Sequence, residues 1–217
     1  ASLDFPAVGA AYGVLAAGRL ITPDTPDQVY AAARIRDVLH EHFSGRGEPL
    51  RVVEIGAGYG GMAYWLLKLF REPMKYAVVD LPVANVLQGY FLAQTLGHSR
   101  VSLYGEDPAS VAVLPGHALS AVEAPFDALL NKDSMPEIPH DALLDYLRWA
   151  RGACTGVFYS YNQEAAAEFA GTVQNVVPSV LASIGGFSRK RRDASWLRRG
   201  YVEELYAIDV AGREPAT

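Results

Sequence analysis

Cysteine is nearly absent from this 217-residue chain, which contains only Cys154. A single cysteine excludes an internal disulfide, and without a C-x-x-C pair or a Cys/His cluster the sequence predicts no structural zinc site. We therefore expect a reducing, cytoplasmic location. Because the chain begins at Ala1 rather than methionine, we also expect it to be a trimmed or excised piece.

Long apolar runs are missing too. The stretch 5–20 is largely apolar, but Pro6, Gly9, Gly13 and Gly18 interrupt it and no basic residue precedes it. A secretory signal needs a basic start before an unbroken apolar segment, and a membrane helix needs about 20 apolar residues. The sequence therefore predicts neither a signal peptide nor a membrane span.

Positive charge is in deficit: 19 Lys and Arg face 24 Asp and Glu, which gives a net charge of −5. This balance disfavours nucleic acids and anionic membranes as partners, because neither would be attracted to the average surface. A composition of 50% hydrophobic and 20% charged residues is typical of a compact globular domain. We expect a small-molecule partner, and the oligomeric state stays open.

Glycine is concentrated just after the first strongly apolar segment. Residues 51–55 (RVVEI) predict a buried strand, 56–61 (GAGYGG) predict a turn, and 62–70 carry the apolar spacing of a helix. Glycines let a chain turn sharply and let backbone N–H groups approach a ligand closely. The order of strand, glycine turn and helix predicts a site for a nucleotide-like cofactor.

Glycine spacing alone leaves two cofactors open. Gly56, Gly58 and Gly61 fit the dinucleotide pattern G-x-G-x-x-G, whereas Gly56, Gly58 and Gly60 fit G-x-G-x-G. Asp80 ends the next predicted strand, where a carboxylate can accept hydrogen bonds from ribose hydroxyls in either case. Asp80 therefore predicts a nucleoside without identifying it.

Glu54, two positions before the first glycine, separates these alternatives. The run EIGAGYG resembles the first motif of class I S-adenosylmethionine (SAM) dependent methyltransferases, whereas dinucleotide dehydrogenases usually keep an apolar residue at that position. Segments 78–82 (VVDLP), 131–139 (NKDSMPEIP) and 158–164 (FYSYNQE) then resemble, in the same order, blocks of the sugar O-methyltransferase family. Four ordered blocks are more specific than one.

The resemblance implies a Rossmann-like, doubly wound α/β fold, SAM as cofactor, and methyl transfer to a hydroxyl of a sugar or glycosylated small molecule. An NAD(P)-dependent oxidoreductase and a non-catalytic SAM-binding domain stay open as alternatives. We predict an N-terminal helical segment at 1–48 and a SAM-binding domain at 49–217. The expected cofactor contacts lie in the glycine motif and after the neighbouring strands: Glu54, Gly56, Ala57, Gly58, Tyr59, Gly60, Asp80, Leu81, Glu106, Asp107 and Asn131.

Strands and helices alternate along the chain. The predicted helices cover 26–43, 83–96 and 140–150, and the predicted strands cover 76–79, 101–104, 126–131 and 156–161. Such alternation predicts a mainly parallel sheet that binds ligands at the carboxyl ends of its strands. Two further strands, 187–192 and 201–209, predict a C-terminal antiparallel hairpin. Thr25 and Gln28 predict a capping box at the start of the first helix.

The loop after the strand at 126–131 carries the candidate catalytic groups. Methyl transfer depends mainly on placing the acceptor hydroxyl in line with the S–CH3 bond, and a general base adds about 100-fold or more. Asp133 is the first candidate for that base because it lies nearest the strand end, followed by Glu137 and His140. These groups could instead bind Mg²⁺, but their spacing predicts no metal site. Glu137 and His140 could also simply be solvated residues near a helix start.

Polar residues after the last parallel strand are candidates for substrate binding. These candidates are Tyr161, Asn162 and Glu164. An amide and a carboxylate can pair with neighbouring sugar hydroxyls, although Asn162 could equally cap a helix. The basic run 189–192 (RKRR) indicates a solvated strand face, or a phosphate site if it lines the cleft.

Overall fold

A computed structural model describes residues 4–169 and 171–209, so parts of the predicted segments 1–48 and 49–217 lie outside the described residues. The helices are α1 (Thr25–Phe43), α2 (Gly61–Leu69), α3 (Pro82–Leu96), α4 (His140–Ala153) and α5 (Val177–Ile184). The strands are β1 (Val14–Ala16), β2 (Arg19–Ile21), β3 (Leu50–Ile55), β4 (Met74–Asp80), β5 (Val101–Leu103), β6 (Val111–Pro115), β7 (Phe126–Lys132), β8 (Cys154–Gln163), β9 (Glu168–Phe169), β10 (Thr172–Val173), β11 (Phe187–Ala194) and β12 (Tyr201–Ile208).

The predicted fold class is confirmed. The protein is mixed α/β, with a mainly parallel sheet of eight strands and two separate small hairpins, β1–β2 and β9–β10. By its internal contacts the chain divides into two compact units. The first consists of Ala1–Leu50 and Ala57–Val122, and the second of Arg51–Gly56 and Glu123–Thr217.

In the first unit, β6 pairs in parallel with both β4 and β5, so that Val113 lies opposite Val78 on one side and Leu103 on the other. The strand β4 carries the buried apolar residues Tyr76, Val78 and Val79, a run that is typical of a strand covered on both faces. The strand β6 was not predicted. It supplies the central partner of this three-stranded group.

The start of α1 corrects the predicted capping box. The helix begins at Thr25, its N-cap is Asp24, and no side chain caps it. The Thr25 hydroxyl instead accepts a hydrogen bond from the Thr22 backbone N–H at 3.2 Å and lies 2.8 Å from the Thr22 hydroxyl. Gln28 is therefore free of the cap role, and its side chain accepts a hydrogen bond from Tyr59.

In the second unit, β3, β7 and β8 run parallel, with Val53 opposite Leu129 and Leu129 opposite Phe158. The strand β12 pairs antiparallel with β8 and with β11, which confirms the predicted C-terminal hairpin. Helix α4 buries Leu143, Leu147 and Ala150, the i, i+4, i+7 stripe expected of an amphipathic helix.

Candidate functional site

The glycine turn of the first unit is fixed to the end of β4 by side-chain hydrogen bonds. Asp80 Oδ2 accepts a hydrogen bond from the Ala57 backbone N–H at 3.0 Å and another from Gln88 Nε2 at 2.7 Å. Gln88 Nε2 also donates to the Gly58 carbonyl at 2.8 Å. Gln88 is fully buried, and Asn85 donates to its side-chain oxygen at 2.8 Å. The Gln88 side chain that joins Asp80 to the turn is therefore held in one orientation.

The outer side of this turn is open. Gly58 has a φ of +59° and is exposed, and a Cβ at this position would have no atom within 4 Å. Leu81, directly after Asp80, is 66% exposed and donates its backbone N–H to Asp80 Oδ1 at 2.7 Å. An open backbone, a carboxylate at a strand end and an exposed apolar side chain fit the sugar and base of a nucleoside.

Tyr59 and Gly60 connect the turn to α2 and to the apolar interior of the unit. The Tyr59 hydroxyl donates to Gln28 Oε1 at 2.8 Å, and the ring meets Phe91 edge-on with centroids 5.1 Å apart. Burial raises the pKa of the Tyr59 phenol, and the nearby Asp24 carboxylate raises it further. Gly60 is the N-cap of α2 with a φ of +96°, and it packs against Leu92.

In the second unit, the end of β3 is held by a buried polar cluster. Asn131 Nδ2 donates to the Ile55 carbonyl at 2.7 Å and to Ser134 Oγ at 2.6 Å. The Ser134 hydroxyl donates to the same carbonyl at 3.2 Å. A Cβ on Gly56, whose φ is +72°, would lie 2.0 Å from Ser134 Oγ. Only glycine therefore fits at position 56.

Two further polar residues of the same unit are buried near this cluster. Glu54, on β3, is 1% exposed. Asn162, on β8, donates to Asn131 Oδ1 and to Ser160 Oγ, both at 2.8 Å. Asn162 Oδ1 has no hydrogen-bond partner among the described residues. Buried polar atoms are almost always satisfied, so this oxygen marks a place where a further donor would fit.

Both carboxylate oxygens of Asp133 are engaged by the C-terminal hairpin. Asp133 Oδ2 pairs with Arg198, and Oδ1 accepts the Tyr201 hydroxyl at 2.5 Å. The guanidinium of Arg198 also lies 3.7 Å from the centroid of the Tyr201 ring. Burial raises the pKa of Tyr201, and its hydrogen bond to Asp133 raises it further. Asp133 itself is held with a φ of +59°, which is unusual for a residue other than glycine.

His140, at the start of α4, has an ordered side-chain partner. Its Nδ1 lies 2.8 Å from Asn175 Oδ1, and Asn175 Nδ2 donates to the Ile138 carbonyl at 2.7 Å. This second bond turns the amide oxygen towards the imidazole, so in the neutral ring Nδ1 is the nitrogen that carries the proton and donates. The Nε2 atom is then left with a lone pair. Glu137 is exposed in the preceding 3-10 turn.

The structure places the remaining predicted contacts in three different settings. Glu106, with Asp107, follows the short strand β5, and its carboxylate accepts from the Leu103 backbone N–H at 2.7 Å in an exposed turn. Tyr161 is fully buried, and its hydroxyl lies 2.7 Å from Ser195 Oγ. Glu164 forms an ion pair with Arg192.

Several residues of the site carry no signal in the sequence. These residues are distant along the chain from groups they hold: Gln88 is 30 residues from Gly58, Ser134 is 79 from Ile55, and Arg198 and Tyr201 are 65 and 68 from Asp133. A buried glutamine on α3 could have been suspected from its apolar surroundings, since polar residues inside apolar helices usually have a partner.

Among residues 4–169 and 171–209, no group of three or more His, Cys, Asp or Glu could hold a metal ion. In the same residues, none of the helices combines the length and apolar character that crossing a bilayer requires.

Comparison with known proteins relates the fold to methyltransferases. No family model matches the chain, and no curated protein matches it either. Mitomycin 7-O-methyltransferase has a similar fold, with a TM-score of 0.58 and 14% identity over 84% of this chain and 54% of that one. Magnesium protoporphyrin IX methyltransferase from Synechocystis, solved with bound SAM, has a TM-score of 0.56 and 14% identity, with 85% of this chain and 80% of that chain covered. A carbon methyltransferase has a TM-score of 0.59 and 13% identity, with 83% of this chain and 54% of that chain covered.

Identities this low show the fold alone. The chain spans about half the length of the mitomycin enzyme, with 54% of that protein covered. The similar folds also include both O- and C-methylating proteins. The similarity therefore shows a shared fold, and neither the reaction nor the acceptor follows from it.

Proposed function

We propose that the protein is a SAM-dependent O-methyltransferase that acts on a hydroxyl of a small molecule. The proposal rests on the hydrogen bonds that Gln88 donates to Asp80 and to the Gly58 carbonyl, which hold the turn in place while the outer side of Gly58 stays open. This arrangement presents a carboxylate and an exposed glycine turn at the carboxyl end of a parallel strand, where such folds bind ligands. The likeness to solved methyltransferases supports the same cofactor.

The chain's own residues have distinct proposed roles toward that cofactor, which when bound supplies the methyl group. Among the residues that the structure describes, Asp80 Oδ1 accepts a hydrogen bond only from the Leu81 N–H, so it has a further lone pair for a ribose hydroxyl, and Leu81 covers one face of the base. The turn residues from Gly56 to Gly60 let the cofactor approach the main chain closely. Asn131 holds the end of β3, and the buried Glu54 stays a proposed cofactor contact. Glu106 and Asp107 stay proposed contacts to the base.

For proton removal we propose His140 ahead of Asp133 and Glu137. The Asn175 contact assigns the proton to Nδ1, which leaves Nε2 as a basic nitrogen. Both oxygens of Asp133 are already engaged by Arg198 and Tyr201, so Asp133 is better suited to positioning the loop.

A sugar acceptor has little support from the predicted contact residues. Tyr161 and Asn162 are 0% and 2% exposed and bond to other residues of the protein. Glu164 is paired with Arg192. We therefore propose a hydroxyl group as the methyl acceptor, with sugars as one class of acceptor to be tested.

Calorimetry with S-adenosylhomocysteine (SAH), NAD and NADP tests the cofactor. We expect only SAH to bind tightly, and Asp80→Asn to weaken it by roughly 10- to 150-fold, the equivalent of about 1.5–3 kcal/mol for hydrogen bonds to a charged group. Asp145→Asn, an exposed carboxylate on α4, is the matched control and should leave the affinity unchanged. Preferential binding of NAD would contradict the proposal.

A transfer assay separates the enzyme from a binding-only domain. The protein is incubated with isotope-labelled SAM and a panel of hydroxylated aromatic, aliphatic and glycosylated acceptors. We expect label in at least one acceptor, with loss of transfer in His140→Ala at unchanged SAH affinity. SAH binding without transfer to any acceptor would favour the non-catalytic alternative.

A further inference from the structure

A cavity of about 410 Å³ lies within the first unit, beside the glycine turn. Its volume falls in the range of about 300–1,000 Å³ that is typical of small-molecule sites. Five aromatic side chains line it: Phe5, Tyr12, Tyr59, Tyr90 and Phe91. Tyr59 belongs to the turn between Gly58 and Gly60, so the cavity directly adjoins the proposed cofactor turn.

The aromatic rings form a preorganised apolar wall. Phe5 and Phe91 are stacked with centroids 5.9 Å apart, and Tyr59 meets both rings edge-on at 6.2 and 5.1 Å. Phe5 and Phe91 are buried, at 7% and 5% exposure, whereas Tyr90 is 56% exposed at the cavity. Rings in such arrangements favour another flat aromatic ring in stacked or edge-on contact.

Most of the lining is apolar, and beyond the hydroxyls of the exposed Tyr12 and Tyr90 its polar side chains are few. The Thr22 hydroxyl lies 2.8 Å from the Thr25 hydroxyl, and the Tyr59 hydroxyl donates to Gln28. Asp24 is the one carboxylate among the lining residues that the structure describes, and it is exposed. A sugar would bring several hydroxyls that need partners, whereas an aromatic alcohol brings one, which Asp24 can accept.

We infer that this cavity is the acceptor subsite and takes a flat aromatic compound that bears a hydroxyl, rather than a sugar. The ring lies against Phe5, Tyr59 and Phe91, and the hydroxyl donates to Asp24, which for an acceptor bound in this cavity replaces His140 as the proposed group that takes the proton. Calling the ligand a methyl acceptor rests on the proposed function, whereas the binding preference of the cavity can be measured by itself.

Titration of the full chain with 2-naphthol, naphthalene and methyl α-glucoside tests the inference. We expect 2-naphthol to bind, naphthalene to bind more weakly and methyl α-glucoside not to bind at the same concentration. Tyr90→Ala should weaken 2-naphthol about two- to tenfold through loss of a ring contact. Val86→Ala is the matched control, because Val86 is exposed on the same helix but is not a lining residue.

Two further variants keep the outcome clear if Tyr90→Ala disturbs α3. Ala11→Trp should fill the cavity and abolish 2-naphthol binding, and Asp24→Asn should weaken 2-naphthol but not naphthalene. Binding that no lining variant changes, or a clear preference for the glucoside, would overturn the inference. Competition between 2-naphthol and SAH would also overturn it, because the cavity would then be part of the nucleoside site.

SAH binding is measured on the same samples to separate the two proposals. If SAH binds and 2-naphthol fails, the acceptor subsite is wrong and the proposed function stands. If SAH fails, the proposed function is wrong, and the cavity loses its assignment as an acceptor subsite whatever 2-naphthol does.

Discussion

The packing of Gly56 against Ser134 allows a quantitative prediction for Gly56→Ala. The residue has a φ of +72°, and an added Cβ would lie 2.0 Å from Ser134 Oγ and 2.5 Å from Ser134 Cβ. The left-handed backbone costs a residue other than glycine about 1–2 kcal/mol. Forcing an extra carbon into a packed site costs about 1–3 kcal/mol more. We expect the free energy of unfolding to fall by about 2–5 kcal/mol in total.

Gly45→Ala separates these two contributions. Gly45 has a similar φ of +80°, but a Cβ there would have no atom within 4 Å. This variant should therefore lose only the backbone part, about 1–2 kcal/mol. Urea unfolding with linear extrapolation measures both variants on the same scale.

A double-mutant cycle with Ser134→Gly tests the assigned cause. The Ser134→Gly change removes both atoms that the new Cβ would overlap and leaves only an ordinary contact with Asn131 Nδ2 at 3.9 Å, so Gly56→Ala should then cost only about 1–2 kcal/mol. The reasoning is wrong if Gly56→Ala and Gly45→Ala are equally destabilising, or if the cost at Gly56 is the same with and without Ser134.

Three other side chains give testable expectations. Burial raises the pKa of the Cys154 thiol from 9.0 to about 12, so the stability that its neutral form contributes is complete below pH 9.0 and is lost as the pH rises towards about 12. The urea unfolding midpoint should therefore fall less steeply with pH over that window in Cys154→Ala than in the unchanged protein. Equal slopes would contradict this expectation. Glu204→Gln should lower the free energy of unfolding by about 1–3 kcal/mol, because the carboxylate is 1% exposed and binds two guanidinium groups. A loss no larger than that of Asp145→Asn would refute this expectation. Asn131→Ala should cost at least about 1–3 kcal/mol in urea unfolding by leaving the Ile55 carbonyl without its strongest donor, and an unchanged midpoint would exclude that role.

The sequence predicts the long strands of the eight-stranded sheet and misses the short strands β6 and β1. The strands β4, β7 and β8 carry long apolar runs, and their predicted positions agree with the structure to within a few residues. The strand β6 has only five residues and follows a Pro-containing loop. The strand β1 is exposed along its whole length, so no alternation of apolar and polar residues marks it.

In the candidate site, the sequence likewise predicts the local motifs but not the contacts between residues that are distant along the chain. The glycine turn and the acidic ends of β3 and β4 follow from short motifs that can be read from a few consecutive residues. The partner of Asp80 is Gln88, on a different element, and Asp133 meets Arg198 and Tyr201 at 65 and 68 residues' separation. No local pattern encodes such pairs, because only the packed fold brings them together.

The basic run 189–192 shows how packing decides between two interpretations of one pattern. In a regular strand, Arg189 and Arg192 would point to opposite faces, because side chains alternate with a period of two. The register of β11 against β12 shifts between Arg189 and Arg191, and such a bulge inserts one extra residue. Both arginines therefore reach the same buried carboxylate, at 3.0 and 2.7 Å from Glu204.

The partners of this run argue against a phosphate site. Arg192 pairs with Glu164 as well as with Glu204, and Arg191 pairs with Asp193 at 3.5 Å. A phosphate would have to displace carboxylates that are already held at hydrogen-bond distance, one of them buried where an unpaired charge is costly. Because Glu204 cannot be buried without its arginines, the basic run is explained by the stability of the hairpin, and an acidic partner is not required to account for it.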